Sequence, residues 1–597
     1  MEQFALPEGT AFPKGVDPIS IAKSCAHLFR NLDITNLHPG AAWYDLFALT
    51  GDVASVKSRV AIATSWDHLL TIRGVSGFQV LDEGVQIRTY GGQIPAIEVP
   101  CTFSTGCDPK LQGVATFSLV FCPKDRRSSN GWQVWMIRTR LDRLLKQQGD
   151  VDKLDPLTAH APVLTPPIRN DFSSLRYGCV VVGAGQAGLA VAGRLKALGI
   201  SYLAIDRNSR IGDNWLNRYD SVKLHTPREF SHLPYGRTFS GEYPEWLGKA
   251  DIARGHNEWV QRYGINLSLS TELLSGQWDD RLKRWSLRVR QGGDLQTLTC
   301  DHIVLATGLG IRTPRIPTYA GLEVCRATVM HSVDYRNSWS WAGQRAIIIG
   351  SANTAHDIAE DMIEAGLTSV TMVQRDATVV IPREHIQANM TSTNPRFLIK
   401  VAAPEEVADE LRFSIPPPIR NLFMMLGNQS LSASNPDRYQ DLDRSGFKRK
   451  EQSMGGSFRG RYIDVGASQK IASGQIKVKS GSCPVRHTET GLEFDDGTRL
   501  DADIIIFATG YHLDSRDMIE TLFGPDVSGR VTRLDQPNPE DFLDGAYKFT
   551  GHPALWLAGG NMGQARYFSR FLALQINAAL LGTPFDRLKQ PLDDCDT

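Results

Sequence analysis

Six consecutive residues, Gly183-Ala184-Gly185-Gln186-Ala187-Gly188, have the types and spacing needed to grip a pyrophosphate. Gly183 permits a tight turn, Gly185 lets a phosphate approach the backbone, and Gly188 lets the following helix pack closely on its sheet. The free N–H groups and positive dipole end of that helix then face the anion. Such chemistry needs a strand before the glycines and, after the helix, a second strand that ends in an acid for the ribose hydroxyls. The chain supplies both. Cys179 to Val182 is an apolar run suited to a strand buried on both faces, and the helix carries Leu189, Ala192, Leu195 and Leu198 on one side before stopping at Gly199. Ser201 to Ile205 then leads to Asp206, followed by Arg207. In this order the parts specify a dinucleotide site, where a lone glycine motif would not.

A second constellation opens at Gln344. Ala346 to Ile349 reads as a short buried strand, followed by Gly350-Ser351-Ala352-Asn353-Thr354-Ala355 at a helix start. Ala352 replaces the glycine that would lie closest to a pyrophosphate, so the strand-helix context carries the reading. The next strand, Ser369 to Val373, ends in Gln374-Arg375 rather than an acid. An arginine there suits a 2′-phosphate, which an aspartate would repel, so the site reads as one for NADPH over NADH; a solvated surface arginine is the alternative.

Beyond Asp206 come Arg210-Ile211-Gly212-Asp213-Asn214-Trp215, Tyr219 and Leu224-His225-Thr226-Pro227. Together with the first glycine motif, the G-x-x-W and L-H-x-P segments resemble the flavin-containing monooxygenases, most closely their YUCCA-type and fungal relatives. The resemblance covers about residues 175 to 585. It implies that the first site holds FAD, with Trp215 against it, and that His225 lies at the reactive edge of the isoalloxazine; a histidine bonding a backbone carbonyl is the structural alternative. Two strands ending in A-T-G, through Ala306, Thr307 and Gly308 and through Thr509 and Gly510, resemble the family's crossings between nucleotide domains. Gly559 and Gly560 would let the last core strand approach the flavin. Cys325 to Tyr335 keeps His331 and Tyr335 of the family's F-x-G-x-x-x-H-x-x-x-Y signature but has Cys325 for its aromatic and Ala327 for its glycine. Chemistry and domain packing are both open to His331 and Tyr335. Baeyer–Villiger relatives carry tryptophan at the position of Tyr335, so the tyrosine leans toward heteroatom or decarboxylating oxygenation.

The reaction so implied is that of a class B flavoprotein monooxygenase, of a kind met in secondary metabolism. NADPH reduces FAD, O2 adds at C4a, and the sheltered hydroperoxide passes one oxygen to a small-molecule substrate. N-oxygenation, S-oxygenation and oxidative decarboxylation of a 2-oxo acid are the expected outcomes; Baeyer–Villiger oxygenation and NADPH oxidase activity are alternatives on the same fold. A disulfide reductase of this architecture would need paired cysteines beside the flavin, and none lies between Cys179 and Cys300. A non-catalytic binding protein on a flavoprotein scaffold is the rival of another class, against which both intact sites argue.

The rest of the chain frames these sites. At 597 residues it should hold about three or four domains. Lys plus Arg and Asp plus Glu are 65 each, so no bulk charge draws nucleic acid or an anionic membrane. The 9 cysteines are scattered without a C-x-x-C pair, which suggests neither a disulfide framework nor a metal site. No apolar stretch approaches the ~18 residues needed to span a bilayer, and the N-terminus lacks a basic start and apolar core, so a soluble, cytoplasmic protein is expected.

Residues 1–150 read as a separate α+β module. Ile21 to Leu32 and Ala42 to Leu49 are expected as helices, and Gly77 to Leu81, Val85 to Arg88, Ala96 to Phe103, Gly113 to Phe121 and Trp132 to Leu141 as antiparallel strands. The last strand places Trp132, Val134 and Met136 on one face and Gln133, Trp135 and Ile137 on the other, so both should be covered. The module resembles the cone-shaped nuclear transport factor 2-like fold. The adjacent Asp67 and His68 would point apart, which leaves a homodimer contact, or one wall of the main site, as its expected role. Residues 151–174, with Pro156, Pro162, Pro166 and Pro167, read as a semi-rigid linker. The fold class is therefore α/β, with two Rossmann-like dinucleotide-binding domains and an N-terminal α+β cone-like domain. FAD is assigned to residues 175–320 and 500–597, and NADPH to 321–499, where Pro382 to Met454 forms a substrate-side insertion.

Overall fold

The computed structural model describes residues 6–7, 11–123, 131–157, 176–308, 313–390, 405–450, 460–512, 515–532, 543 and 545–587. Its N-terminal body contains α1 (Pro18–Cys25), β1 (Leu37–Leu46), β2 (Val53–Val56), α2 (Arg59–Ile72), β3 (Ser76–Val80), β4 (Gln86–Tyr90), β5 (Ile94–Ser104), β6 (Leu111–Phe121) and β7 (Trp132–Leu144). The first nucleotide body follows with β8 (Arg176–Val182), α3 (Gln186–Ala197), β9 (Tyr202–Ile205), α4 (Asp213–Leu216), α5 (Lys249–Tyr263), β10 (Leu267–Ser268), β11 (Thr271–Asp279), β12 (Arg284–Gln291) and β13 (Asp294–Leu305). The second is built from β14 (Thr328–His331), β15 (Arg345–Ile349), α6 (Asn353–Glu364), β16 (Ser369–Gln374), β17 (Val379–Pro382), α7 (Arg383–Met390), α8 (Glu405–Phe413), α9 (Pro417–Ser434), α10 (Gln440–Arg444), β18 (Arg461–Asp464), α11 (Ala467–Ala472), β19 (Ile476–Ser480), β20 (Pro484–Thr488), β21 (Gly491–Phe494), β22 (Arg499–Asp501) and β23 (Ile504–Phe507). The chain then returns through α12 (Arg516–Phe523), α13 (Pro525–Ser528), β24 (Leu555–Leu557) and α14 (Met562–Leu580).

Two parallel-stranded cores carry the glycine motifs. One sheet runs β10-β9-β8-β13-β12-β11 with β24 beside β13, its β13-β12-β11 edge antiparallel, and the other runs β14-β23-β15-β16-β19. The apolar runs foreseen at Cys179 to Val182 and Ala346 to Ile349 are the strands entering the glycine turns, and most of their side chains are buried, as a sheet with covered faces requires. One boundary differs from expectation. Ile504–Phe507 pairs with both β14 and β15, so it fills the middle of the second sheet, and the crossing back to the first body comes after it.

The N-terminal sheet, ordered β2-β1-β7-β6-β5-β3 with β4 on β5, departs from expectation in three ways. Ala42 to Leu49 is not a helix but strand β1 and the turn after it; a short apolar run has no period to separate the two, and the β7 ladder decides. β1 lies parallel to β7, with Trp43 opposite Ile137, so the sheet is mixed. A register shift where Leu119 pairs Val134 and Ser118 pairs Met136 inserts a bulge, and Trp135 and Met136 share one face while Trp132, Val134 and Ile137 share the other. Both faces are covered as foreseen. One packs on Trp43, Trp66 and Phe117, the other under Ile415, Ile419 and Phe423 of the insertion. Helix α2 was not expected; Ser58 caps it, and Ile62, Trp66 and Leu69 form its buried face, leaving Asp67 and His68 exposed. The first helix also stops short, at Cys25, and a tighter turn continues to Phe29.

The joint is anchored where it is described. Val151 accepts Arg194 Nη1 at 2.7 Å and the Tyr235 hydroxyl at 3.0 Å. Asp152 binds Arg194 at 2.7 Å and Arg570 at 2.8 Å. Burial opposes the Asp152 charge, but these two guanidinium groups hold its carboxyl well below the usual range. Pro162, Pro166 and Pro167 lie outside the described residues. The last helix begins at Met562, because Asn561 and Gln564 form a reciprocal cap there.

Candidate functional site

The two glycine turns are built alike. Gly183 has φ +109°, and a Cβ on it would stand 2.5 Å from the Ala306 carbonyl oxygen; Gly350 has φ +133°, and its Cβ would stand 2.5 Å from the Ala508 oxygen. Each turn therefore rests on the alanine of an A-T-G strand. The amides follow the same pattern, with Gly183 N donating to Ile205 O at 2.7 Å and Gly350 N to Val373 O at 3.0 Å. Among the described residues, helices α3 and α6 both start without a side-chain cap, so their first N–H groups can face a ligand, whereas α14 is capped by its own residues.

In the first turn, a Cβ on Gly188 would lie 1.8 Å from Gly183 O, which is the close helix packing expected of the third glycine. Gly185 is different. Among the described residues, a Cβ there meets only the Asn214 side chain, with Nδ2 at 3.2 Å, so what faces Gly185 is the movable end of a polar side chain that sequence reasoning had passed over. Asp206 Oδ2 accepts Ala184 N at 2.7 Å, and Oδ1 accepts Asn208 N at 2.8 Å. A carboxylate has about four acceptor sites, so ribose hydroxyls can still bind. Arg207 lines an open groove of about 390 Å³ with Asn208, Ser270 and Arg290 beyond that acid. Gln186 Nε2 donates to Gly560 O at 3.3 Å, joining the turn to the end of β24, and the Tyr547 hydroxyl bonds Gly559 O at 2.6 Å. Ala187 is buried beside them. A cradle closed to Cβ atoms at Gly183 and Gly188, open at Gly185, and lined with free amides fits a dinucleotide pyrophosphate.

The second turn is more occupied by the protein itself. Ala352 is its N-cap. Ser351 Oγ meets Thr378 Oγ1 at 2.7 Å, and Asn353 Oδ1 accepts Ile463 N at 2.8 Å, which ties the turn to β18. The Gln374 side chain is taken up within the protein. It is fully buried, its Nε2 donates to Thr378 Oγ1 and Lys448 O at 2.9 Å, and its Oε1 accepts Lys448 N at 2.8 Å. Arg375 points the other way in character, 71% exposed and bonded to Asp376 at 2.7 Å.

Between the turns runs the segment from Asn214 to His225. Trp215 lies under the Arg218 guanidinium at 5.0 Å and packs on the cores of both sides. The Tyr219 hydroxyl donates to Asp357 on α6 at 2.6 Å, and His225 Nε2 faces the same carboxylate at 3.6 Å. Asn214 thus meets the first turn, and Tyr219 and His225 meet the helix of the second. Thr226 and Ser231 hydroxyls bond at 3.0 Å, and Arg566 on α14 then fastens the chain by donating to the carbonyls of Phe230 at 3.0 Å and His232 at 2.6 Å. Burial pushes the His232 imidazole down to about 4. The same arginine binds Asp409 of α8 at 2.6 Å, and burial raises its neighbour Glu405 to about 7. Asp409 and Glu405 carry no sequence signal of their own, because the partner that makes them matter lies some 160 residues away.

His331 and Tyr335, read as candidates for chemistry, have their polar atoms engaged. Val333 N donates to His331 Nδ1 at 3.2 Å, so Nε2 carries the proton that is given to Gly510 O at 3.1 Å. The ring thereby pins the second A-T-G crossing, where Arg315 N also donates to Gly510 O at 3.0 Å and the Thr509 hydroxyl bonds Arg315 O. Tyr335 is buried in the second core and gives its hydroxyl to Asp361, which Ser338 also holds at 2.9 Å. Burial keeps that phenol far above its usual pKa, so it stays a donor. Thr307 lies beside Met518, and Gly308 has a positive φ of +93° with open space around it.

The family model described as pyridine nucleotide-disulphide oxidoreductase matches residues 180–408. Within that span the cysteines are Cys300, buried in β13, and Cys325, so the paired thiols of disulfide chemistry are missing from it. The chain is 31% identical over 339 residues to the indole-3-pyruvate monooxygenase YUCCA6 of Arabidopsis thaliana, which covers 56% of this chain and 76% of that protein. It is 28% identical over 361 residues to the indole-3-pyruvate monooxygenase YUCCA4 of Oryza sativa subsp. japonica, covering 56% and 74%. Among solved structures, a flavin-containing monooxygenase from Stenotrophomonas maltophilia aligns at 18% identity and TM-score 0.45 over 68% of this chain and 99% of that one. An open cyclohexanone monooxygenase aligns at 16% and 0.48 over 68% and 87%.

Proposed function

Because the chain belongs to the class B flavin-containing monooxygenase family, whose members use FAD and NADPH, we propose that it places one oxygen atom from O2 on a small organic substrate and that a 2-oxo acid with an aromatic group is the first class to test. The observation that carries this reading is the segment from Asn214 to His225, which touches the turn of one dinucleotide site and the helix of the other. The substrate class follows the indole-3-pyruvate relatives.

On this reading Gly183, Gly185, Gln186, Ala187, Gly188, Asp206, Arg207 and Asn214 hold FAD, with Trp215, Ala306, Thr307, Gly308, Gly559 and Gly560 around it. Gly350, Ser351, Ala352, Thr354 and Arg375 hold NADPH, with Thr509 and Gly510 at the crossing. FAD, when bound, would supply the redox chemistry between NADPH and O2. The protein's part is to bind and orient. Free amides of α3 and α6 take the phosphates, Asp206 takes a ribose, and the exposed Arg375 reaches a 2′-phosphate. His225 is the residue placed to hold a proton at the seam. The N-terminal body acts as a buttress, since its sheet seats α9 of the insertion. Its remaining surface can serve a homodimer, which sedimentation of the full chain would report. No described helix is long and apolar enough to cross a membrane. Work in the cytoplasm is part of this reading.

The test is NADPH consumption in air with aromatic 2-oxo acids, amines, sulfides and ketones, each scored for oxygenated or decarboxylated product and for peroxide. Product formation matched to NADPH with a 2-oxo acid supports the proposal. Peroxide equal to NADPH whatever compound is added overturns it in favour of an oxidase.

A further inference from the structure

The seam contains an acid that neither glycine motif requires. Asp357 lies on α6 and is 6% exposed. Its Oδ2 accepts the Tyr219 hydroxyl at 2.6 Å, and its Oδ1 stands 3.6 Å from His225 Nε2, an ion-pair separation slightly longer than a hydrogen bond. That ring nitrogen is buried and, among the described residues, has no hydrogen-bond partner, although a carboxylate faces it. Burying a carboxylate costs several kcal/mol unless donors cover its oxygens. Tyr219 covers one oxygen, and burial keeps its phenol far above the usual range, so it remains a donor. An N–H at His225 Nε2 is what the other oxygen lacks. The adjacent His356 does not compete. Its Nδ1 contacts Ala352 O at 3.0 Å, its ring stacks on Tyr462 at 3.6 Å, and burial pushes it down to about 4, which leaves it neutral.

We propose that Asp357 is a positioning residue, which holds the His225 imidazole with Nε2 protonated toward α6 so that Nδ1 is the nitrogen offered to the reacting groups, while Tyr219 fixes the carboxylate. The inference rests on the role given to His225 above. A carboxylate that selects a histidine tautomer is a recurrent device, because the two ring nitrogens are distinct and the bond at one sets the state of the other. Here it has an added consequence. Asp357 sits on the helix that opens at Gly350, so a nucleotide seated on the second turn and the imidazole at the seam share one rigid element.

The experiment uses the full chain loaded with FAD and labelled with 15N at histidine, with His225→Ala assigning the resonance. A protonated Nε2 and bare Nδ1 are expected in the native protein, and the reverse in Asp357→Asn, whose amide can donate to the ring. In turnover, Asp357→Asn should lower kcat about ten- to a hundredfold while KM for NADPH moves less than about threefold. Combined with His225→Ala, it should be no slower than His225→Ala alone, since a residue acting through another adds nothing once that other is gone. If Asp357→Asn does not retain flavin, Tyr219→Phe is measured the same way, with an expected loss of about threefold to tenfold. An unchanged tautomer, or losses that multiply in the double variant, overturns the proposal. A native rate in His225→Ala would instead remove the role of His225, and the tautomer measurement would still decide that of Asp357.

Discussion

A single methyl group, added at Gly185 or at Gly188, separates the space reserved for a ligand from the space used for packing. Gly185 has an ordinary φ of −78°, and a Cβ on it meets only Asn214 Nδ2 at 3.2 Å, the far end of a side chain that can yield. Gly185→Ala should therefore cost the fold about 1 kcal/mol or less. At Gly188 the same atom would lie 1.8 Å from the Gly183 oxygen, backbone against backbone, and Gly183 is itself backed by Ala306. Nothing there can move cheaply, and overpacking of this kind costs about 1–3 kcal/mol or more. Binding responds differently. The Gly185 methyl fills the approach to the free amides, and each charged hydrogen bond lost is worth about 1.5–3 kcal/mol, or roughly ten- to a hundredfold in Kd. Thermal melts followed by circular dichroism, with and without FAD, and flavin fluorescence titrations of each variant read the two effects separately. Gly185→Ala should melt within about 3 °C of the native apoprotein but bind flavin at least tenfold more weakly, and Gly188→Ala should lose both. A Gly185→Ala variant with native affinity, or one destabilised as much as Gly188→Ala, would refute the placement of the pyrophosphate.

Three further outcomes are expected. Arg375→Ala should raise KM for NADPH about tenfold and leave that for NADH nearly unchanged, because its guanidinium is exposed and bonded to the adjacent Asp376; equal losses would make it structural. Glu405 has its pKa raised by burial to about 7 from 4.5, against the pull of Arg566, so the folded chain binds the extra proton, and this stabilisation, full below pH 4.5, is lost as the pH climbs through 7. Glu405→Gln should flatten the fall of Tm between those pH values, a contribution of at most about 3 kcal/mol, and an unaltered slope would rule the residue out. Phe423→Ala removes the ring that packs at 6.3 Å from Tyr90 and 6.4 Å from Trp135; it should cost about 3 kcal/mol and open the insertion to limited proteolysis, and native protease resistance would show that α9 does not need the N-terminal sheet.

The sequence by itself determined both glycine turns, their strands and Asp206, because each is a local unit: strand, turn and helix are contiguous, and the requirement for glycine at Gly183 or Gly350 comes from backbone dihedrals that neighbouring residues set. It also determined that β7 is covered on both faces, since five of the six residues from Trp132 to Ile137 are apolar and they fall on both sides of the strand. What covers that strand was decided only by the tertiary structure, as were the strand character of Ala42 to Leu46 and the bulge that puts Trp135 and Met136 together, all settled by ladders and helices distant in the chain. The same holds for the seam. Gln374 occupies the ribose position by count, yet Lys448 claims its amide, and His331 and Tyr335 keep family positions while Gly510 and Asp361 take their polar atoms. Asp357, by contrast, is one more polar residue on a helix until folding brings Tyr219 and His225 against it. Spacing along a chain fixes backbone conformation and the face a residue occupies; which long-range partner satisfies a polar group is fixed only when burial removes water as the alternative.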